Sequence, residues 1–236
     1  RGLGPPLKHL AENWNDFLRP ALTALSCEAV GGRPETAISA ATAMTLICSS
    51  MNIYDNIMDR TKYKTFVPTL PGKFGSGTAL IVAGLITSKA FQVLYEDTER
   101  EIPTKQRADV THIFQDFLLK MSEAEMANLG LKEERRSHVE EFRILQMQAA
   151  DMEACAKIGA TVGCGTKRDI EQLGIYGSYL GTVINLREDL WSSLNLTLEL
   201  SDRIKAFSLP YVLILCMNMS EKARNFVLGL SQKDRI

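Results

Sequence analysis

Apolar residues recur at three- and four-residue intervals along most of the chain, and no alternating run long enough for a useful strand appears, so the pattern predicts helices nearly throughout. Breaks fall where glycine and proline gather. Gly31-Gly32-Arg33-Pro34 ends one helix and starts another, Pro68 to Gly77 reads as a long loop, and an apolar helix runs from Thr78 to Leu94. Pro103 opens a helix running to about Leu129, Gly130 to Glu134 reads as a polar turn, and Gly163 to Gly165 separates the last two long helices. With no repeat, low-complexity segment or interdomain linker, residues 1–236 read as a single all-α domain of roughly eight to ten helices around a central apolar cavity.

Charge narrows the function classes. With 27 Lys plus Arg against 28 Asp plus Glu, the balance gives no general nucleic-acid or membrane-surface footprint. Five cysteines (Cys27, Cys48, Cys155, Cys164, Cys216) lie in apolar contexts without a CxxC, which favours buried thiols in a reducing compartment over disulfides or zinc. His9, His112 and His138 lie apart, without ligand spacing, and read as surface or capping residues. The apolar runs Thr78 to Ser88 and Leu209 to Met219 are too short to span a bilayer, and no signal-peptide pattern opens the chain, so a soluble, cytoplasmic protein without an integral membrane segment is expected.

One stretch carries chemistry. In Asp55-Asn56-Ile57-Met58-Asp59 two carboxylates sit four residues apart, on one helix face and one turn apart. The run before them, Ala37 to Ile53, is apolar and small, so the helix reads as core-facing, where charges are rare unless paired or metal-bound. Spacing alone leaves open a solvated helix end or a metal site.

After the acidic pair come Arg60-Thr61-Lys62-Tyr63-Lys64, Pro68-Thr69 and Lys73-Phe74-Gly75, all before the next helix. Upstream stand Leu18-Arg19-Pro20 and Glu28 to Glu35. Downstream come Lys157-Ile158-Gly159-Ala160, Tyr176 to Gly181, Glu188-Asp189 and Ser208-Leu209-Pro210. In order and spacing, over roughly residues 14 to 215, this resembles the trans-isoprenyl (polyprenyl) diphosphate synthase family. The resemblance implies an isoprenoid-synthase-like helical bundle and a prenyltransferase of isoprenoid biosynthesis. It also implies magnesium held by Asp55 and Asp59 at the first acidic motif and by Glu188 and Asp189 at the second, bridging to an allylic prenyl diphosphate. Hard oxygen ligands suit magnesium. By the same resemblance Asp55, Asp59 and Lys64 are catalytic, while Arg19, Ser50, Met51, Gln148, Asn185 and Lys205 bind substrate. Ser50 and Met51 fall where bulky aromatics shorten the product in that family, so a long prenyl tail is expected. A homodimer, or a heterodimer with a related subunit, is implied as well.

Departures from the family pattern divide the two halves of the site. At the first motif Asn56 replaces an aspartate and Lys64 an arginine, leaving a usable site. At the second, Glu188 replaces the leading aspartate and Ser192 the final one; Met147, beside Gln148, stands at a lysine position. The isopentenyl diphosphate site keeps Arg19, but Asp16, Cys48 and Thr65 replace lysine, histidine and arginine. An allylic diphosphate and a prenyl acceptor other than isopentenyl diphosphate are therefore expected. The alternatives are a terpene-cyclase or diphosphate-lyase-like enzyme, for which Leu196 breaks the cyclase motif, and a non-catalytic subunit of a heteromeric synthase.

Overall fold

The computed structural model describes residues 2–64, 66–98, 102–130, 137–194 and 209–232. Among them are eleven α-helices, one more than the upper end of the sequence expectation. These are α1 (Gly4–Asn13), α2 (Leu18–Ala29), α3 (Ile38–Met58), α4 (Leu70–Phe74), α5 (Ser76–Gln92), α6 (Thr104–Gly130), α7 (His138–Met147), α8 (Ala150–Val162), α9 (Lys167–Leu194), α10 (Tyr211–Met219) and α11 (Glu221–Gln232). The extra helix, α4, lies inside the glycine- and proline-rich stretch read as loop. Thr69 caps it by accepting from Gly72 N, a proline occupies its first turn, and Gly75 ends it at φ 83°. Two two-residue strands, β1 (Tyr63–Lys64) and β2 (Val67–Pro68), pair antiparallel between α3 and α4.

Local chemistry accounts for most boundaries. Ser137 and Glu140 form a reciprocal capping box at the start of α7, and Thr166 and Asp169 exchange the same pair of bonds at the start of α9. α5 continues without a break into a π-helical turn, Val93–Asp97. The helix is therefore longer than the uninterrupted Thr78 to Ser88 run. By length and composition, Pro34–Met58 and Ser76–Glu96 could each cross a bilayer, yet the first is 61% buried within the protein.

α8 is the central helix. Eleven of its thirteen residues are buried, and α2, α3, α6 and α9 pack around it. Two glycines permit the closest approaches: a Cβ on Gly159 would stand 2.1 Å from Thr23 O on α2, and one on Gly177 would stand 2.4 Å from Met152 O. α3 lines the same core through Ala40, Ala43, Met44, Ile47 and Cys48, while Ile53 packs into a second cluster with Ala79, Val82, Ala83 and Ile86 of α5. The acidic end of α3 is thus held between α5 and the central core.

Two composition-based expectations need correction. Cys27, Cys48 and Cys155 are buried, but Cys164 and Cys216 are exposed. His9, expected at the surface or in a capping role, is buried: Nε2 donates to Pro68 O at 2.8 Å, and Nδ1 lies 3.2 Å from both Lys73 Nζ and Asn13 Nδ2. It ties α1 to the strand pair.

Candidate active site

Asp55 and Asp59 sit at the C-terminal end of α3, where Asp59 is the cap residue and its N–H bonds to Asp55 O at 2.9 Å. Asp59 is buried and Asp55 half-buried. Lys64 Nζ reaches back from β1 to within 3.8 Å of Asp55 Oδ2. From the opposite side, α6 contributes Glu125, which accepts from Gln148 Nε2 at 3.3 Å. Burial pushes the Glu125 carboxyl above its ordinary range; the Asp55 charge adds to this, and Asp59 adds less. Three carboxyls from two helices therefore share one neighbourhood with Lys64 and Gln148.

A place where neighbouring carboxylates raise the pKa of the Glu125 carboxyl stabilises a cation, and an all-oxygen donor set suits a hard divalent ion such as magnesium. Among the described residues no three His, Cys, Asp or Glu side chains form a ready metal cage by themselves. Any ion here would complete its shell with ligand or water oxygens, the usual habit of magnesium.

Asp151, in the first turn of α8, finds its partner far upstream in the sequence. Arg19 Nε donates to Asp151 Oδ2 at 2.8 Å, Nη2 donates to the same oxygen, and Nη1 donates to Asp16 Oδ2 at 2.9 Å. Asp16 also accepts from Arg19 N at 3.2 Å, bonding into the first turn of α2. Burial lowers the guanidinium pKa, but Asp151, and after it Cys48 and Asp16, raise it further than burial lowers it, so the group stays cationic. Cys48 is buried beside this pair, and burial pushes its thiol well up. Asp16, Arg19 and Cys48 thus converge as their register in the sequence implied; Thr65 lies outside the described residues. One guanidinium faces two carboxylates, and the cluster carries no spare positive charge.

Ser50 and Met51 diverge. Ser50 is fully buried against α5, its Oγ donating to Ala83 O at 3.1 Å and lying 2.6 Å from Thr87 Oγ1, whereas Met51 packs against the main core. On α9, Asn185 Nδ2 donates to Leu145 O at 3.4 Å. Glu188 is exposed, 3.6 Å from Arg187 Nη2. Asp189 accepts from Tyr211 N at 2.8 Å, which satisfies a first-turn N–H of α10. Lys205 lies outside the described residues.

Sequence reasoning missed Glu125 and Asp151. Asp151 had a faint signal, a carboxylate that with Glu153 interrupts the small apolar run Ala149, Ala150, Met152 and Ala154. Glu125 shares a face with Asn128 three residues on. Neither signal names a partner.

Comparison with known proteins shows the family and the fold. Residues 3–200 match the family model described as polyprenyl synthetase. A short chain isoprenyl diphosphate synthase of Methanothermobacter thermautotrophicus is 30% identical over 184 residues, 77% of this chain and 55% of that protein. The solved geranylgeranyl pyrophosphate synthetase of Pyrococcus horikoshii superposes with a TM-score of 0.74 at 26% identity, covering 79% of this chain and 57% of the other. At 18% identity, and so for the fold alone, a Caulobacter crescentus polyprenyl synthase complexed with calcium and isoprenyl diphosphate superposes with a TM-score of 0.84 over 98% of this chain and 71% of its own. The chain spans about half the length of the curated relatives it matches first. The match over most of its residues, with a helical bundle that carries an acidic pair at the end of a core helix, makes this chain a member of the polyprenyl synthetase family.

Proposed function

We propose that this protein is a magnesium-dependent prenyltransferase of isoprenoid biosynthesis that binds an allylic prenyl diphosphate at Asp55 and Asp59 and transfers the prenyl group to an acceptor other than isopentenyl diphosphate. Asp55 and Asp59 hold the ion, and Lys64 neutralises part of the diphosphate charge. Magnesium supplies Lewis-acid stabilisation of the departing diphosphate. Gln148 fixes the Glu125 carboxyl at the edge of the site, and the apolar surface of α3 and α8 keeps water from the prenyl cation. On α9, Asn185 faces substrate and Glu188 with Asp189 contributes a second, weaker metal position. A dimer through the exposed Leu80, Ile81 and Leu85 of α5 and a cytoplasmic location belong to the same reading.

The observation that supports a non-standard acceptor is Arg19. Its guanidinium is already shared between Asp151 and Asp16, so a second diphosphate would have to displace two carboxylates and then lie beside them. Calorimetry with an allylic diphosphate analogue, with and without magnesium, tests the first half. Product analysis with and without isopentenyl diphosphate tests the second, and efficient elongation would overturn it.

A second reading, a non-catalytic subunit of a heteromeric synthase, draws support from Asp189, which accepts a bond from the backbone at the start of α10. Loss of magnesium-dependent allylic diphosphate binding in the isolated protein, restored by a related subunit, would favour it.

A further inference from the structure

α9 is built small on the inside and large on the outside. Its inner face carries Gly174, Gly177 and Gly181; a Cβ on Gly177 would stand 2.4 Å from Met152 O and one on Gly181 2.9 Å from Ala149 Cβ, so α9 is pressed onto α8 and fixed in rotation. That rotation turns Ile175, Tyr176, Tyr179, Val183, Leu190 and Trp191 outward, each between 46% and 71% exposed. Together they present on the order of 800 Å² of largely apolar side chain, more than the largest patch of an ordinary monomer and comparable with one partner's share of a standard protein interface.

Spacing points to the occupant. Tyr176, Val183 and Leu190 recur every seven residues, with Tyr179 between the first two, which is the a and d spacing of a helix that pairs with another helix. The set is also a near-palindrome about Val183. Tyr176 and Leu190 stand seven residues either side of it, Ile175 and Trp191 eight, and Tyr179 and Arg187 four.

We propose that this face of α9 is a self-association surface, on which a second copy of the chain packs its own α9 antiparallel across a twofold axis at Val183. Under that operation Tyr176 comes level with Leu190 of the second copy, and Ile175 with its Trp191, which is the self-complementarity an isologous contact requires. Arg187, the one charge among these positions, comes level with Tyr179 of the second copy, within reach of its ring. Its contact with Glu188, 3.6 Å away in an exposed pair, is given up at little cost. Charge disfavours a lipid surface as the occupant, because α9 carries three cations against four carboxylates, without the excess of basic residues that holds a helix on an anionic bilayer.

The contact goes beyond the function proposed above and is separate from its site and its dimer. Asn185, two residues from Val183, falls on the opposite side of α9, and α5 packs against α3 whereas α9 packs against α8. Being of no more than standard size, the α9 contact forms at roughly tens of micromolar, above the concentration at which α5 sets the state of the protein.

The test is sedimentation velocity of the whole protein, without substrate or magnesium, from about 1 to about 300 μM. The mass of the parent should double over that range. Val183→Glu, which sets two carboxylates against each other on the axis, should weaken the doubling about tenfold or more and leave the species at low concentration unchanged. Ile81→Asp should still double, from its own starting mass. Circular dichroism and thermal unfolding of both variants should match the parent, since both positions are exposed. As a second readout, Val183→Cys should form a disulfide-linked dimer in oxidised glutathione faster than the parent, whose Cys164 and Cys216 set the background, while Lys222→Cys on α11 should not. A parent mass that stays constant to the highest concentration, doubling of Val183→Glu as in the parent, loss of doubling in Ile81→Asp, or cross-linking of Val183→Cys at the background rate would each overturn the proposal. Binding of phosphatidylcholine–phosphatidylglycerol vesicles that Val183→Glu abolishes, without any growth in mass, would assign the face to a membrane and overturn it as well.

Discussion

Converting the Arg19 cluster back into an anion site is the most demanding check on the proposed acceptor. In the parent protein one guanidinium is balanced by Asp16 and Asp151, whose side chains are 4% and 11% exposed. The pair of substitutions Asp16→Lys and Asp151→Asn removes both carboxylates and adds a cation, leaving two positive groups where one positive and two negative groups stood. Each charge-assisted contact to a diphosphate contributes about 1.5 to 3 kcal/mol. Freeing Arg19 and adding the lysine should therefore strengthen isopentenyl diphosphate binding by roughly 3 to 6 kcal/mol, a factor on the order of a hundred to ten thousand.

Stability should move the other way. Breaking a fully buried ion pair costs about 3 to 5 kcal/mol and an exposed one about 0 to 1. Arg19 is 30% exposed, so about 2 kcal/mol is expected, plus about 1 kcal/mol for the bond Asp16 makes into the first turn of α2. Isothermal titration calorimetry with isopentenyl diphosphate, beside thermal unfolding to show that the variant is folded, reads both effects. If the parent binds isopentenyl diphosphate as tightly as the folded double variant does, Arg19 is not sequestered and the reasoning fails.

Four further outcomes are expected. Asp55→Ala or Asp59→Ala should abolish magnesium-dependent binding of an allylic diphosphate by calorimetry, and retention of binding in both would remove the first acidic motif from the site. Ser50→Phe should shorten the prenyl chain that the protein binds or forms, and lower stability by about 1 to 3 kcal/mol, because the new ring must enter a filled contact with α5; mass spectrometry of bound or formed chains checks the first effect and thermal unfolding the second. Glu153 is buried enough for its pKa to rise, yet bonds from Lys157 and Lys120 hold it below the ordinary 4.5, so its stabilisation is present above that value and is lost as pH falls through the folded pKa. Glu153→Gln should therefore lower the melting temperature by a few degrees at pH 7, for about 1 kcal/mol, with the difference vanishing in acid. Ile81→Asp on the exposed face of α5 should convert a dimer to a monomer by light scattering, and a parent protein already monomeric at micromolar concentration would count against the dimer.

Much of this protein was determined locally, and the sequence alone carried it. The 3.6-residue period, the glycines and prolines between helices and the i,i+4 projection of Asp55 and Asp59 act over a turn or two. That is why the all-α class, the long helices and the acidic pair could be read directly. Local rules failed where two signals competed: Pro68 to Gly77 looked like loop because its prolines and glycines hid the Thr69 cap that starts α4. The chemistry of the site was decided over longer distances. Arg19 looks available until Asp151, 132 residues away, takes both Nε and Nη2, and folding brings Tyr211 N, 22 residues on, onto Asp189. Glu125 joins the acidic pair only because α6 packs across the bundle. The charge of a side chain is fixed by its sequence, but whether that charge remains to meet a ligand depends on which opposite charge the tertiary packing brings beside it.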